Sequence, residues 1–371
     1  MSAFSELTFP LDTRPGTHTD TPPPKQAMKN RFMLAPLTNS QSYEDGRLSQ
    51  EEAHWLQKRA EGGFGSVMTC ASHVQAIGKG FPGQLGCFGD EHLEGLTGLA
   101  TSLNQANTQS LMQLHHAGMR SPAEIIGEAP VCPSVNEEFK ARALSTQEVE
   151  QVVEDFAAAA VRADQAGFHG VELHGAHGYL LCQFLSAETN QRTDDWGGPL
   201  ENRSRIFFEI INRIRARCRP DFIVGVRLSP ERFGMLLEEA MQTAQALIDG
   251  GQVDFLDLSL WDCFKEPVEE KYHGKTLLEW FKTLDRKDVR VGPAGKLRQP
   301  DDFARVIDAG YDFALLGRAA ILHHDFPNRM AENVAFEPIN LPVSPAYLRD
   351  EGLSDTFIQY MRNWRGFVTE A

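Results

Sequence analysis

The chain lacks any apolar run of about 18 residues, so no membrane span is expected. It also lacks a basic start followed by an apolar block; MSAFSELTFPLDTRPG does not read as a signal peptide. Cysteine is sparse and scattered. Cys70, Cys87, Cys132, Cys182, Cys218 and Cys263 form no CxxC pair. That suits free thiols in a reducing cytoplasm better than a disulfide frame or an iron–sulfur cluster. Positive charge is short as well. Against 36 Lys and Arg stand 51 Asp and Glu, a net charge of −15. An excess of this sign argues against nucleic acid and anionic membranes as partners. No Pro/Gly linker divides the 371 residues, so a single domain over 1–371 is expected.

What is present is alternation. Short β-branched runs stand at 31–37, 65–72, 110–116, 170–176, 222–229, 255–260, 289–295 and 313–319. Most are apolar on both faces, as strands buried in a parallel sheet are. Helical patterns lie between them, at 90–106, 200–217, 236–250, 276–285 and 300–310. Two more begin at capping boxes, Ser49 with Glu52 and Ser145 with Glu148. Eight strands alternating with helices predict an α/β fold, a single (β/α)8 TIM barrel, with a doubly wound open sheet as the alternative. Residues 117–144 are too long for a plain connection and read as a lid subdomain after the third strand. GKGFPG at 78–83 matches GxGxxG in form only; Pro82 and the missing helix start make it an ordinary loop.

Barrel active sites gather at the C-terminal strand ends. Those ends carry Pro36, Leu37 and Thr38, Ala71, Gln113, His174 and His177, Arg227, Gly295, and Gly317 with Arg318. The set is poor in carboxylates and rich in donors, which suits a ligand that gathers negative charge. Glycines after the last two strands suit a phosphate cradle. His174 and His177, in GVELHGAHGYL, leave three readings open: a metal pair, a packed pair, or a substrate clamp. A zinc site needs a further ligand nearby, and no metal is expected. Tyr179 either packs or serves chemistry. Arg227 either faces a ligand or pairs with Glu172. His115 and His116 read as structural.

Taken together, NRFMLAPLT, LMQLHHAG, VGPAG, ALLGRA and above all HGAHGYLLCQFLSAETNQRTDDWGGPLENRSR resemble the Old Yellow Enzyme family of FMN-dependent ene reductases, over about 28–330. The resemblance implies bound FMN, NADPH or NADH as reductant, and an activated alkene as oxidant in a ping-pong cycle. It implies Pro36, Leu37, Thr38 and Ala71 against the flavin, with Thr38 near N5 and O4. Gln113 and Arg227 fall on its pyrimidine side. Gly295, Gly317 and Arg318 fall on its phosphate. His174 and His177 are implied as donors to the substrate carbonyl, and Tyr179 as proton donor to the α-carbon.

One branch of the family has cysteine where Thr38 stands and tyrosine where Ser40 stands. Here the first strand is of the threonine type and HGAH of the two-histidine type. The lack of a cysteine cluster and of a second dinucleotide domain after the barrel leads to the expectation that the chain lies outside the dienoyl-CoA reductase and trimethylamine dehydrogenase branches. In some relatives the C-terminal tail enters a neighbouring subunit's site, and RNWRGF (362–367), within a tail of about 340–371, is placed to do so in a homo-oligomer. Residues 12–27 carry no family role. Two other functional classes stay open: a flavin-binding sensor or electron carrier without turnover, and a metal-dependent hydrolase or lyase built on the two histidines.

Overall fold

A computed structural model describes residues 2–10 and 24–370; most of the 12–27 stretch therefore lies outside the described residues. Eight parallel strands close into one barrel. They are β1 (Phe32–Leu34), β2 (Ser66–His73), β3 (Gln109–His115), β4 (Gly170–Gly175), β5 (Ile223–Leu228), β6 (Phe255–Ser259), β7 (Arg290–Ala294) and β8 (Ala314–Leu316). Each pairs with its sequence neighbours, and β1 closes on β8 with Phe32 opposite Ala314. All eight expected strands form, and the open sheet is excluded.

Alternation along the strands sorts side chains into two cores. Met33, Met68, Leu111, Ile223, Phe255 and Phe313 pack in one group. Their strand neighbours Phe32, Leu34, Val67, Met112 and Val224 join the larger core that includes the helix faces. Leu7 and Met28 pair antiparallel and join the smaller group.

Helices Gln50–Glu61, Leu93–Gln105, Thr146–Gln165, Leu200–Arg217, Leu237–Asp249, Leu277–Phe281 and Pro300–Asp308 follow the strands in turn. Ser145 and Glu148 form the full reciprocal cap. The box expected at Ser49 is only half made. Ser49 Oγ accepts from Glu52 N–H, but Glu52 is fully buried and turns inward to accept from Asn39 and Ser42. Burial pushes the Glu52 carboxyl up. Residues 117–144 carry a short helix, Ala123–Ile126, and a two-stranded pairing of Val131–Cys132 with Arg142–Ala143.

The tail packs against its own barrel. Val343 pairs with Val368, Ser354 N–H donates to Gln41 Oε1 (3.2 Å), and Phe357 packs edge-on against Trp55. Helix Asp355–Met361 is thereby seated over the start of the barrel wall.

Candidate active site

The strand ends open into one cavity of about 1040 Å3. Every candidate named from the sequence lines it: Pro36, Leu37, Thr38, Ala71, Gln113, His174, His177, Tyr179, Arg227, Gly295, Gly317 and Arg318. Register explains the convergence. Gln113 stands opposite Glu172, while His174 stands opposite Arg227 and Arg227 opposite Asp257.

The turn after β4 is built around an unusual backbone. His177 sits at φ 62 and Gly178 at φ 69. Left-handed backbone is uncommon outside glycine and persists where its surroundings impose it. Here Ser229 Oγ accepts from His177 N–H (3.0 Å) and Arg120 donates to the His177 carbonyl. A Cβ at Gly178 would meet Phe233 at 3.0 Å, so glycine is required there twice over. The turn puts His177 Nδ1 3.3 Å from His174 Nε2. Tyr179 stands edge-on to His174, ring centroids 5.1 Å apart. Burial holds both imidazoles well below their ordinary range, so both are neutral at physiological pH. Among the described residues no third His, Cys or carboxylate atom joins the pair at metal-binding spacing. The donor set therefore does not fit a zinc site.

A layer below holds buried charge. Gln113 Nε2 donates to Glu172 Oε1 over 2.7 Å. Arg227 does not pair with Glu172. Its partner is Asp257, with Nε 3.0 Å from Oδ2, because the register sets Asp257 beside it. The Arg227 Nε–H is not aimed at that carboxylate and has no hydrogen-bond acceptor. Burial pushes the Glu172 carboxyl far up, and the neighbouring Asp257 pushes it further. Burial pushes the Asp257 carboxyl up as well, against the pull of the Arg227 cation, so a proton is favoured on this buried carboxyl pair.

At the far end, Gly295 comes close to the loop after β6: a Cβ there would lie 3.0 Å from the backbone nitrogens of Asp262 and Cys263. Arg318 and Arg298 line this end without a carboxylate partner among the described residues. Burial, and then the Arg298 cation, lower the Arg318 guanidinium. An anion placed there relieves that repulsion.

The sequence did not mark several lining residues. Ser259 ends β6 and bonds His177 Nε2 (2.7 Å); its place at a strand end was the available signal. Arg120, Arg232, Phe233 and Trp261 belong to loops. Tyr360, Met361 and Trp364 come from the tail. Tyr360 lines the cavity together with Thr38, so a tyrosine does reach the first strand's site, from the tail and not from position 40. His115 and His116 are buried beneath, held by Gln84 and Gln75.

The match of residues 24–337 to the NADH:flavin oxidoreductase / NADH oxidase family decides the grouping. The chain belongs to that family. It is 33% identical over 316 residues to the probable NADH-dependent flavin oxidoreductase YqiG of Bacillus subtilis, covering 82% of this chain and 84% of the relative. It is 32% identical over 326 residues to the NADH:fumarate oxidoreductase of Klebsiella pneumoniae, covering 84% of this chain and 35% of that longer protein. The Old Yellow Enzyme homologue of Zymomonas mobilis superposes with a TM-score of 0.78 at 25% identity, covering 96% and 99% of the two chains. The protein is thus an NAD(P)H-dependent FMN oxidoreductase of the Old Yellow Enzyme group. Its cavity fits the cofactor: apolar strand ends for a flat ring, an unpartnered buried Arg227 N–H, and two unpaired arginines for a phosphate. No helix is long and apolar enough to cross a membrane.

Proposed function

We propose that this chain reduces the activated C=C bond of α,β-unsaturated carbonyl or nitro compounds with NAD(P)H in a ping-pong cycle. The observation that carries the reading is the pair of neutral imidazoles, His174 and His177, 3.3 Å apart at the cavity wall beside Tyr179. Bound FMN would supply the two-electron hydride chemistry between the nicotinamide and the alkene.

The chain's own residues do the rest. Thr38 and Ala71 face the ring beside Pro36 and Leu37. Gln113 and Arg227 would hold its pyrimidine side, where the Arg227 cation would favour charge gained on reduction. Gly295, Gly317, Arg298 and Arg318 hold the phosphate. His174 and His177 donate to the substrate oxygen; charge grows on that oxygen during the reaction, so the donors bind the transition state more tightly than the ground state. Tyr179 delivers a proton to the α-carbon. Segment 117–144 acts as a lid over this end of one domain. The name of the Klebsiella relative supports an alkene oxidant, since fumarate is one. The six free cysteines are consistent with a cytoplasmic setting.

Anaerobic stopped-flow tests the assignment. Tyr179→Phe should leave flavin reduction by NAD(P)H near its original rate. Reoxidation by 2-cyclohexenone should slow by about 10²–10⁴-fold, the range of direct general acid catalysis. Nitroalkenes should suffer less, because a nitronate leaves before protonation. Slower flavin reduction with unchanged enone turnover would assign Tyr179 to nicotinamide binding instead. Failure of any enone to reoxidise the reduced wild-type enzyme would favour an electron carrier.

A further inference from the structure

The cavity is cationic in a chain that is not. Acidic residues outnumber basic ones 51 to 36, yet no Asp or Glu is among the cavity's lining residues, while Arg120, Arg227, Arg232, Lys296, Arg298 and Arg318 are. Arg227 is paired with Asp257, and Lys296 with Asp262 at 3.0 Å. Arg298 and Arg318 belong to the phosphate end. Arg120 and Arg232 remain, and neither forms an ion pair among the described residues.

Both stand by the substrate end, and both are held in place. Arg120 donates to the His177 carbonyl, with its guanidinium 4.9 Å from the Tyr179 ring centroid. The Arg232 guanidinium lies 4.3 Å from the Trp261 ring centroid. Stacking on an aromatic face orients a guanidinium and leaves its N–H edge free. The backbone that presents this second pair is itself costly. Arg232, Phe233 and Trp261 sit at φ 67, 53 and 63. Bulky side chains seldom adopt left-handed backbone, and such strain gathers at binding sites. Phe233 packs edge-on toward His177, ring centroids 6.3 Å apart, which ties this loop to the clamp.

We propose that the substrate end selects alkenes that carry a carboxylate in addition to the activating carbonyl, with the carboxylate on Arg120 and Arg232. This rests on the ene-reductase reading above. In the reaction the β-carbon gains hydride, the α-carbon gains the Tyr179 proton, and one π bond is lost. The carboxylate changes no bond and serves only as an anchor. The phosphates of the nicotinamide nucleotide offer the same anionic chemistry. The alkene is favoured because Arg120 touches His177 and lies over Tyr179, within reach of a compact substrate.

The test compares 4-oxo-2-pentenoate with its methyl ester on holoenzyme. Wild type should prefer the acid in kcat/KM, and salt should erode the preference, as it does for exposed charges. Arg120→Gln and Arg232→Gln should each lower the acid-to-ester ratio by about two- to fivefold, the range of an exposed ion pair. Arg232→Lys should restore part of it. Titration of the oxidised holoenzyme with acid and ester, read by the flavin spectrum, should show the same selective loss in affinity. The ester corrects for any general damage. Three results overturn the proposal: an ester preferred by wild type, a ratio unmoved by either variant, or a loss confined to the nucleotide concentration needed for flavin reduction. If neither compound reoxidises the reduced enzyme, the ene-reductase reading falls as well.

Discussion

His174 Nε2 and His177 Nδ1 stand 3.3 Å apart, and one must donate to the other. The network fixes which. Ala176 N–H points at His174 Nδ1 over 3.3 Å, so that nitrogen is bare and Nε2 carries the proton. His177 Nδ1 then accepts, and its Nε2–H donates to Ser259 Oγ at 2.7 Å. For both rings to donate to a substrate oxygen, as proposed above, His177 would have to change tautomer. Ser259 makes that feasible: its oxygen accepts from Arg227 Nη2 (3.5 Å), which frees the hydroxyl proton for His177 Nε2.

Ser259→Ala removes the partner that stabilises the donating tautomer. Enone kcat/KM and phenol affinity should each fall about two- to tenfold, the worth of one neutral hydrogen bond. Flavin reduction by NAD(P)H should be affected far less. Stopped-flow on both half-reactions checks this; equal losses in both would make Ser259 a packing residue.

Arg318→Ala should weaken FMN retention. A charge-assisted fork to phosphate is lost, and Arg298 alone is left. The flavin-to-protein ratio after dialysis should drop below that of wild type. Inorganic phosphate should also raise the Tm of flavin-free wild type and do so less in the variant. Full occupancy with an unchanged phosphate response would remove Arg318 from the phosphate end.

Thr38 and Tyr360 line the same cavity. Thr38→Ala should lower the flavin midpoint potential and slow reduction by NAD(P)H about tenfold or less. Reoxidation should not slow. Tyr360→Phe removes the other hydroxyl at this wall and keeps the threonine, so a shift in potential seen only in Thr38→Ala assigns the effect to Thr38 and the flavin. A potential unchanged in both would contradict the placement.

Acid should unfold this protein early. Burial lowers His116 to about 3 and His73 to about 4 from an ordinary 6.5. The unfolded chain then binds more protons than the folded one as pH falls through 6.5. Stability is fully present above that value and drains away toward the folded-state values. His116 cannot charge in place, because Nδ1 accepts from Gly118 N–H over 2.9 Å. Tm should fall steeply between pH 6.5 and 4. His116→Gln should lower Tm at pH 7 but flatten that fall. A slope equal to wild type would mean other groups dominate.

The barrel was legible because each strand is a short apolar run of its own and each helix has a start or stop residue. Strand ends then located His174, Arg227 and Gly295 by fold logic alone, and the resemblance supplied their chemical roles. What stayed hidden was partnership across strands. Asp257 rather than Glu172 beside Arg227 is a matter of register, which no single run encodes. Glu52 had the spacing of a capping residue, but burial beside Asn39 and Ser42 outweighed it. Arg120, Arg232 and Trp261 sit in loops, where periodicity is silent. Tyr360 is separated from Thr38 by most of the chain.

That last separation bears on how such a protein can change over generations. Tyr360, Met361 and Trp364 shape the cavity wall, yet the gene segment that encodes them specifies none of the eight strands. Substitution at its half-buried and exposed positions leaves strand register untouched. New substrates can be tried at Tyr360 and Trp364 with every strand pairing kept, while Phe357 and Met361 beside them stay bound to the large core, so one short stretch of the gene answers to both selection for substrate and selection for folding.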